Sequence, residues 1–222
     1  MSEALAAWRR LPPPDLDRPL ADLRWVVVDT ESSGLDPHQD RLLSIGACAI
    51  DHCKLHLDEV FAVSLRQHYP SAEDNILVHG ITGSAQLTGE EPATALLGFL
   101  QFLRNDIPVA FHAAFDATLL AHAMRMHLGA KLRRVWFDAE WILAALFPDA
   151  AGTRRSLDDW LRRFGISGYT RHDALSDAFA TAELLLIAIE QAGLQGARSA
   201  RDLQRLCAAH RALVRLRRTR SP

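Results

Sequence analysis

The chain is poor in cysteine and lysine, and it has no long apolar run. Its three cysteines, Cys48, Cys53 and Cys207, are odd in number and lack a CxxC spacing, so neither a disulfide framework nor a zinc site is indicated. Lysine occurs only at Lys54 and Lys131, so nearly all positive charge is arginine. Formal net charge is −2, which gives no strong field and excludes a polybasic binder. The longest apolar stretches, such as Leu184 to Ile189, fall far short of a membrane span. The start, with Arg9-Arg10, Leu11 and then Pro12-Pro13-Pro14, holds no apolar signal-peptide core. No internal repeat or low-complexity segment is visible. The expectation is a soluble, cytoplasmic protein with reduced thiols and no membrane association.

What is present suits one well-buried domain. The 222 residues are 49% hydrophobic and 23% charged, within the ordinary globular range. Trp25-Val26-Val27-Val28 reads as a strand buried on both faces, and it runs straight into Asp29-Thr30-Glu31. Alternation along a strand puts Asp29 and Glu31 on one side and Thr30 on the other. Either Asp29 merely ends the strand while Glu31 is solvated, or the pair takes a hard divalent cation that offsets the repulsion between like charges.

Periodicity predicts further strands at Arg41 to Asp51, Lys54 to Leu65 (with a bend or bulge at Asp58-Glu59), Ile107 to His112 and Arg134 to Phe137. Helices are predicted over Thr82 to Leu87, Pro92 to Arg104, Asp116 to Leu128, Ala139 to Phe147, Ser156 to Phe164 and Asp173 to Ala192, the last ended by Gly193. Residues 66–81 read as irregular. The order predicts an α/β fold with a mixed five-stranded sheet flanked by helices, an antiparallel meander followed by crossover units. Three segments are expected: an N-terminal helix and proline-rich lead-in at 1–22, the main domain at 23–194, and an arginine-rich helical arm at 195–222.

Two more acids stand at element boundaries. Asp116 follows the apolar strand ending near His112 and could be no more than a helix cap. His172-Asp173-Ala174-Leu175-Ser176-Asp177 is more informative. With Asp173 as the cap, His172 and Asp177 take the two positions whose side chains meet across a helix start. Asp177 then lies on or beside the buried side of an apolar helix.

Asp29-Thr30-Glu31, His79-Gly80-Ile81-Thr82, Phe115-Asp116, and His172 with Asp177 together resemble the DEDDh (DnaQ-like) exonuclease family over roughly residues 24–193. The resemblance implies a ribonuclease H-like fold and a 3′→5′ exonuclease that releases nucleoside monophosphates from single-stranded DNA or RNA 3′ ends. By the same likeness Asp29, Glu31, Asp116 and Asp177 hold two divalent cations, Mg²⁺ or Mn²⁺, and His172 acts on the attacking water. All-carboxylate ligation suits those ions, and two of them can neutralise the entering and leaving oxygens of a phosphodiester.

The family pattern also puts Thr30 and Leu35 against the terminal nucleotide, Phe115 beside it and His79 near its sugar. His112 stands where family members often carry asparagine, which bears on sugar selection. Read from residue type alone, Leu35 and Phe115 are more simply core residues.

The family's polymerase-bound epsilon subunit carries a clamp-binding peptide of the type Gln-x-x-Leu-x-Phe. Here Gln195 is followed by Gly-Ala-Arg-Ser and Gln204 by Arg-Leu-Cys, so polymerase or clamp association is not indicated and a stand-alone enzyme is favoured. The alternatives are a proofreading subunit and an inactive protein that binds nucleic acid ends. Beyond Gly196 the arm has eight arginines against Asp202, around a stripe of Leu203, Leu206, His210 and Leu213. That stripe must be covered by this domain or by a second copy in a homodimer. The arginines could hold a strand behind its reacting end.

Overall fold

In the computed structural model, which describes residues 3–150 and 155–218, the apolar run at Trp25 becomes strand β1 (Trp25–Ser32), the middle of a five-stranded sheet. Its first four side chains are fully buried, as a strand covered on both faces requires. On one side β1 pairs antiparallel with β2 (Leu42–Asp51), and β2 with β3 (Lys54–Ser64). On the other side it runs parallel to β4 (Ile107–Ala110), and β4 to the two-residue β5 (Phe137–Asp138). The spatial order β3-β2-β1-β4-β5 is the predicted meander plus crossovers. Between β2 and β3 the register slips: Cys48 pairs with Val60 but Ala49 with His56, so Leu57 to Glu59 bulge where the two acids predict it.

The helices are α1 (Glu3–Arg9), α2 (Glu73–His79), α3 (Gly83–Thr88), α4 (Pro92–Leu103), α5 (Ala114–Leu128), α6 (Ala139–Leu146), α7 (Leu157–Phe164), α8 (Ala174–Leu194) and α9 (Ala200–Arg218). They form two layers set by strand alternation. Val26, Val28, Ile45 and Ala47 pack with residues of α1, α4 and α5. Trp25, Val27, Cys48 and Ile50 pack on the other face with α6, α7, α8 and α9. Because alternation continues past Val28, Asp29 leaves β1 on the α8 face and Thr30 on the α5 face.

Four boundaries differ from expectation. Residues 66–81 are not wholly irregular, because Glu73–His79 is helical and stopped by Gly80 at φ +68°. Leu77 and Val78 face solvent there, so no apolar face betrays the helix in sequence. The last strand is shorter than Arg134 to Phe137 suggests, since only Val109 and Ala110 of β4 offer it partners. Asp116 is the third residue of α5 rather than its cap. Gly193 does not end α8, which runs to Leu194; the side chain of Gln195 donates to the Leu146 carbonyl at 2.9 Å.

The arm packs back on the domain through Leu203 and Cys207, both buried. Its start is tied to the lead-in: Leu20 N–H donates to the Arg198 carbonyl, and Arg201 grips Asp17 at 2.5 and 2.8 Å. Leu213 of the expected stripe is 55% exposed. Residues 219–222, with Arg220, lie outside the described residues. Among the described residues no helix is long and apolar enough to cross a membrane.

Candidate active site

Strand and helix each deliver acids to one place. Asp29 and Glu31 leave the end of β1 toward α8, whose first turn is capped by Asp173 accepting from Ser176 N–H at 2.8 Å. One turn on, Asp177 is buried and points back at the strand. Asp29, Glu31 and Asp177 each present an oxygen within 4.8 Å of the others. The approach depends on Gly46, which pairs with Asp29 across the β1–β2 ladder. A Cβ on Gly46 would overlap the backbone of Ala174 and Leu175, so only glycine lets the first turn of α8 lie flat on β2.

Asp116 reaches the same strand end from the opposite layer. It is 4% exposed, and Thr30 donates its hydroxyl to Asp116 Oδ1 at 2.7 Å. Thr30 therefore orients one acid while its neighbours in β1 carry two others. Burial, then the charges of Asp116, Asp177 and Glu31, raise the Asp29 carboxyl well above its ordinary range. Burial with Asp177 and Asp116 pushes Glu31 up to about 7. Burial raises Asp116 against the opposing Thr30 hydrogen bond, and it raises Asp177 against the opposing Arg171. Carboxyls that resist joint ionisation are what a hard cation would relieve, since it favours the charged form of each, and Asp29, Glu31 and Asp177 are close enough to share one.

A cleft of about 230 Å³ opens beside Glu31, lined by His172, Asp173, His79 and Ile81 among others. His172 lies in the α7–α8 loop at φ +61°, its side chain exposed and its backbone N–H donating to Asp177 Oδ2 at 3.0 Å. His79 is buried, and burial lowers its pKa. Its Nδ1 accepts from Ile81 N–H at 3.0 Å, which leaves the proton on Nε2, 3.3 Å from Ser71 Oγ. With both nitrogens engaged, His79 faces the cleft as a neutral ring. Leu35 is 94% exposed and is not core, and Phe115 is only partly buried.

His112 does not join the acid cluster. At φ +62° its ring packs edge-on to Phe111, and Nδ1 lies 3.4 Å from Glu140 Oε2, near Asp138. Sequence reading missed Gly46, the Thr30–Asp116 bond, and Arg171, whose guanidinium bonds both Asp177 and Asp158. The first two depend on contacts between distant segments, with only the glycine in an apolar strand hinting at a close approach, whereas Arg171 meets Asp177 and Asp158 only six and thirteen residues away, through the fold of the α7–α8 loop.

An exonuclease family model matches residues 26–185. An epsilon-like DNA polymerase III protein of Rhodobacter capsulatus is 34% identical over 77% of this chain, which spans 24% of that relative's length. The DNA polymerase III epsilon subunit of Rickettsia typhi is 28% identical, with 74% of this chain aligned to 73% of it. Among solved structures, exonuclease X in complex with 5′ overhanging duplex DNA superposes with a TM-score of 0.65 at 18% identity, covering 82% of this chain and 99% of that one. That likeness shows the shared fold, a mixed sheet of the ribonuclease H-like kind.

Proposed function

Because the chain belongs to the exonuclease family whose model spans residues 26–185, we propose that it is a stand-alone 3′→5′ exonuclease dependent on two Mg²⁺ or Mn²⁺ ions. The observation that carries the reading is the convergence of Asp29, Glu31, Asp116 and Asp177 at the exit of β1. Bound cations there would neutralise the charge that builds on the phosphodiester oxygens. The oxygen-only donor set and the strained ionisation of the acids both fit such ions.

In this reading the remaining residues hold the strand and move one proton. His172, exposed beside Glu31, takes the proton of the attacking water. Leu35 stands in solvent where an inserted apolar side chain can wedge between adjacent bases, and Phe115 offers a ring to the terminal nucleotide. His79 borders the sugar as a neutral ring.

The test is cleavage of single-stranded DNA and RNA, each labelled at the 5′ end, with Mn²⁺ and with EDTA. A ladder shortening from the 3′ end, absent in EDTA, is expected. Immediate release of the labelled end nucleotide would contradict the polarity, and tight binding without cleavage would mark an inactive end-binder. The overlap with the Rickettsia typhi epsilon subunit over most of its length favours a second reading, a proofreading subunit. Turnover that rises sharply only when a polymerase catalytic subunit is added would select it.

A further inference from the structure

Both oxygens of Asp177 are already engaged within the protein. Oδ2 accepts the N–H of His172 at 3.0 Å, and Oδ1 accepts Arg171 Nη1. The other edge of the same guanidinium is anchored, with Nε 2.6 Å from Asp158 Oδ1 in the first turn of α7. Arg171 thus bridges two helices across the mouth of the acid cluster, with 29% of its side chain exposed. Its charge also acts on Asp29 and Glu31, where it favours the ionised forms.

A divalent cation bound by Asp177 would share a carboxylate that the Arg171 guanidinium already neutralises, and two positive groups on one carboxylate repel strongly in a buried setting. We infer that Arg171 is a resident counter-cation that competes with the metal for the Asp177 carboxylate, so that loading the metal loosens or breaks the Arg171–Asp177 ion pair. Asp158 keeps the guanidinium tethered at the rim, so displacement is a short swing and is reversible. The inference rests on the metal-site reading given under the proposed function. It gives Arg171 a role opposite in sign to that of a residue that merely orients a ligand: an orienting residue strengthens metal binding, and a competitor weakens it.

The experiment titrates Mn²⁺ into the full chain, following heat and the electron-spin signal of free Mn²⁺. The variants are Arg171→Gln, Arg171→Lys and Asp158→Asn. Removing the competitor should tighten Mn²⁺ binding about tenfold in Arg171→Gln, the scale of one charge-assisted hydrogen bond. Arg171→Lys should stay near wild type, and Asp158→Asn, which loosens the tether, should tighten binding by a smaller factor. In EDTA Arg171→Gln should melt below wild type, and at saturating Mn²⁺ the two should coincide. Unchanged or weaker Mn²⁺ binding in Arg171→Gln and Asp158→Asn would overturn the competition. Wild-type protein with no Mn²⁺ binding that Asp29→Asn abolishes would instead overturn the metal-site reading, and this inference with it.

Discussion

Asp29 sits among three other carboxyls inside the protein, and that crowding has a sign that can be measured. Glu31 titrates near 7 when folded against an ordinary 4.5, and Asp29 is raised by the same burial and repulsion. Between those values the folded chain holds protons that the unfolded chain has released, so stability falls as pH rises through the window from about 4.5 to about 7. In EDTA the melting temperature should drop between pH 5.5 and pH 8. Asp29→Asn should flatten that drop and raise the pH 8 value by at least ~2–4 °C, the shift that ~1 kcal/mol gives at this chain length. A melting temperature in EDTA that climbs with pH, or ignores Asp29→Asn, would contradict this picture of the acids. At this scale the sequence was readable where chemistry is local: two acids at alternate strand positions, and a histidine five residues before an aspartate. Thr30 was legible as a neighbour of those acids but not as the donor to Asp116, since that hydrogen bond spans 86 residues.

The candidate site lies where three elements meet: the end of β1, the start of α8 resting on β2, and the first turn of α5 with Asp116 on the opposite face. Gly46 fixes that meeting, because any side chain there must displace the backbone of Ala174 and Leu175. Gly46→Ala should leave the sheet intact but push the first turn of α8 outward, carrying Asp177 and His172 away from Asp29. Misplacement by ~1 Å can cost ~10²-fold in rate, and overpacking costs ~1–3 kcal/mol of stability. The variant should therefore lose ten- to hundredfold in turnover (about 10–10²-fold) and need more Mn²⁺ for half-saturation. Wild-type turnover in a folded Gly46→Ala would mean the packing tolerates the displacement. Elements with strong periodicity were legible from sequence: the three antiparallel strands, α4 and α8 all lie close to their predicted spans. α2 was not, because its apolar residues face solvent, and β5 was not, because its length is set by the few partners that β4 offers.

Across the whole molecule, charge is segregated. The chain has net charge −2 although residues 195–222 carry eight arginines and one acid, so the remainder is distinctly acidic. Not all of those arginines face outward to a ligand: Arg201 is held by Asp17 and Arg205 by Asp202. Arg211 lies over the Trp141 ring, 4.9 Å from its centre. With Arg215 and Trp136 it lines a cleft of about 410 Å³ that reaches Ala113 and Ala114, next to Asp116. Arginine beside tryptophan suits a single strand, whose phosphates and bases they can meet separately. Replacing Arg211 and Arg215 with glutamine should reduce the slope of log affinity against log salt by about 1.4 for a long single strand, at ~0.7 for each phosphate no longer neutralised. Cleavage of a dinucleotide should be unchanged, and an unaltered salt slope would leave α9 a purely structural helix. Cutting the chain after Leu194 would test something else, since it strips Leu203 and Cys207 out of the core. The arm's amphipathic stripe was visible in the sequence; that it folds back onto α6 and the lead-in was not, because that packing brings together segments far apart along the chain.

The most direct test of the account is the initial rate of mononucleotide release from a 5′-labelled single strand with saturating Mn²⁺, comparing wild type with Asp29→Asn. The proposed four-carboxylate metal site predicts a fall of more than about a thousandfold with the fold retained, since several kcal/mol of charge stabilisation would go with the metal. A folded Asp29→Asn that keeps more than about a tenth of the wild-type rate, a loss under ~1.4 kcal/mol, would contradict it.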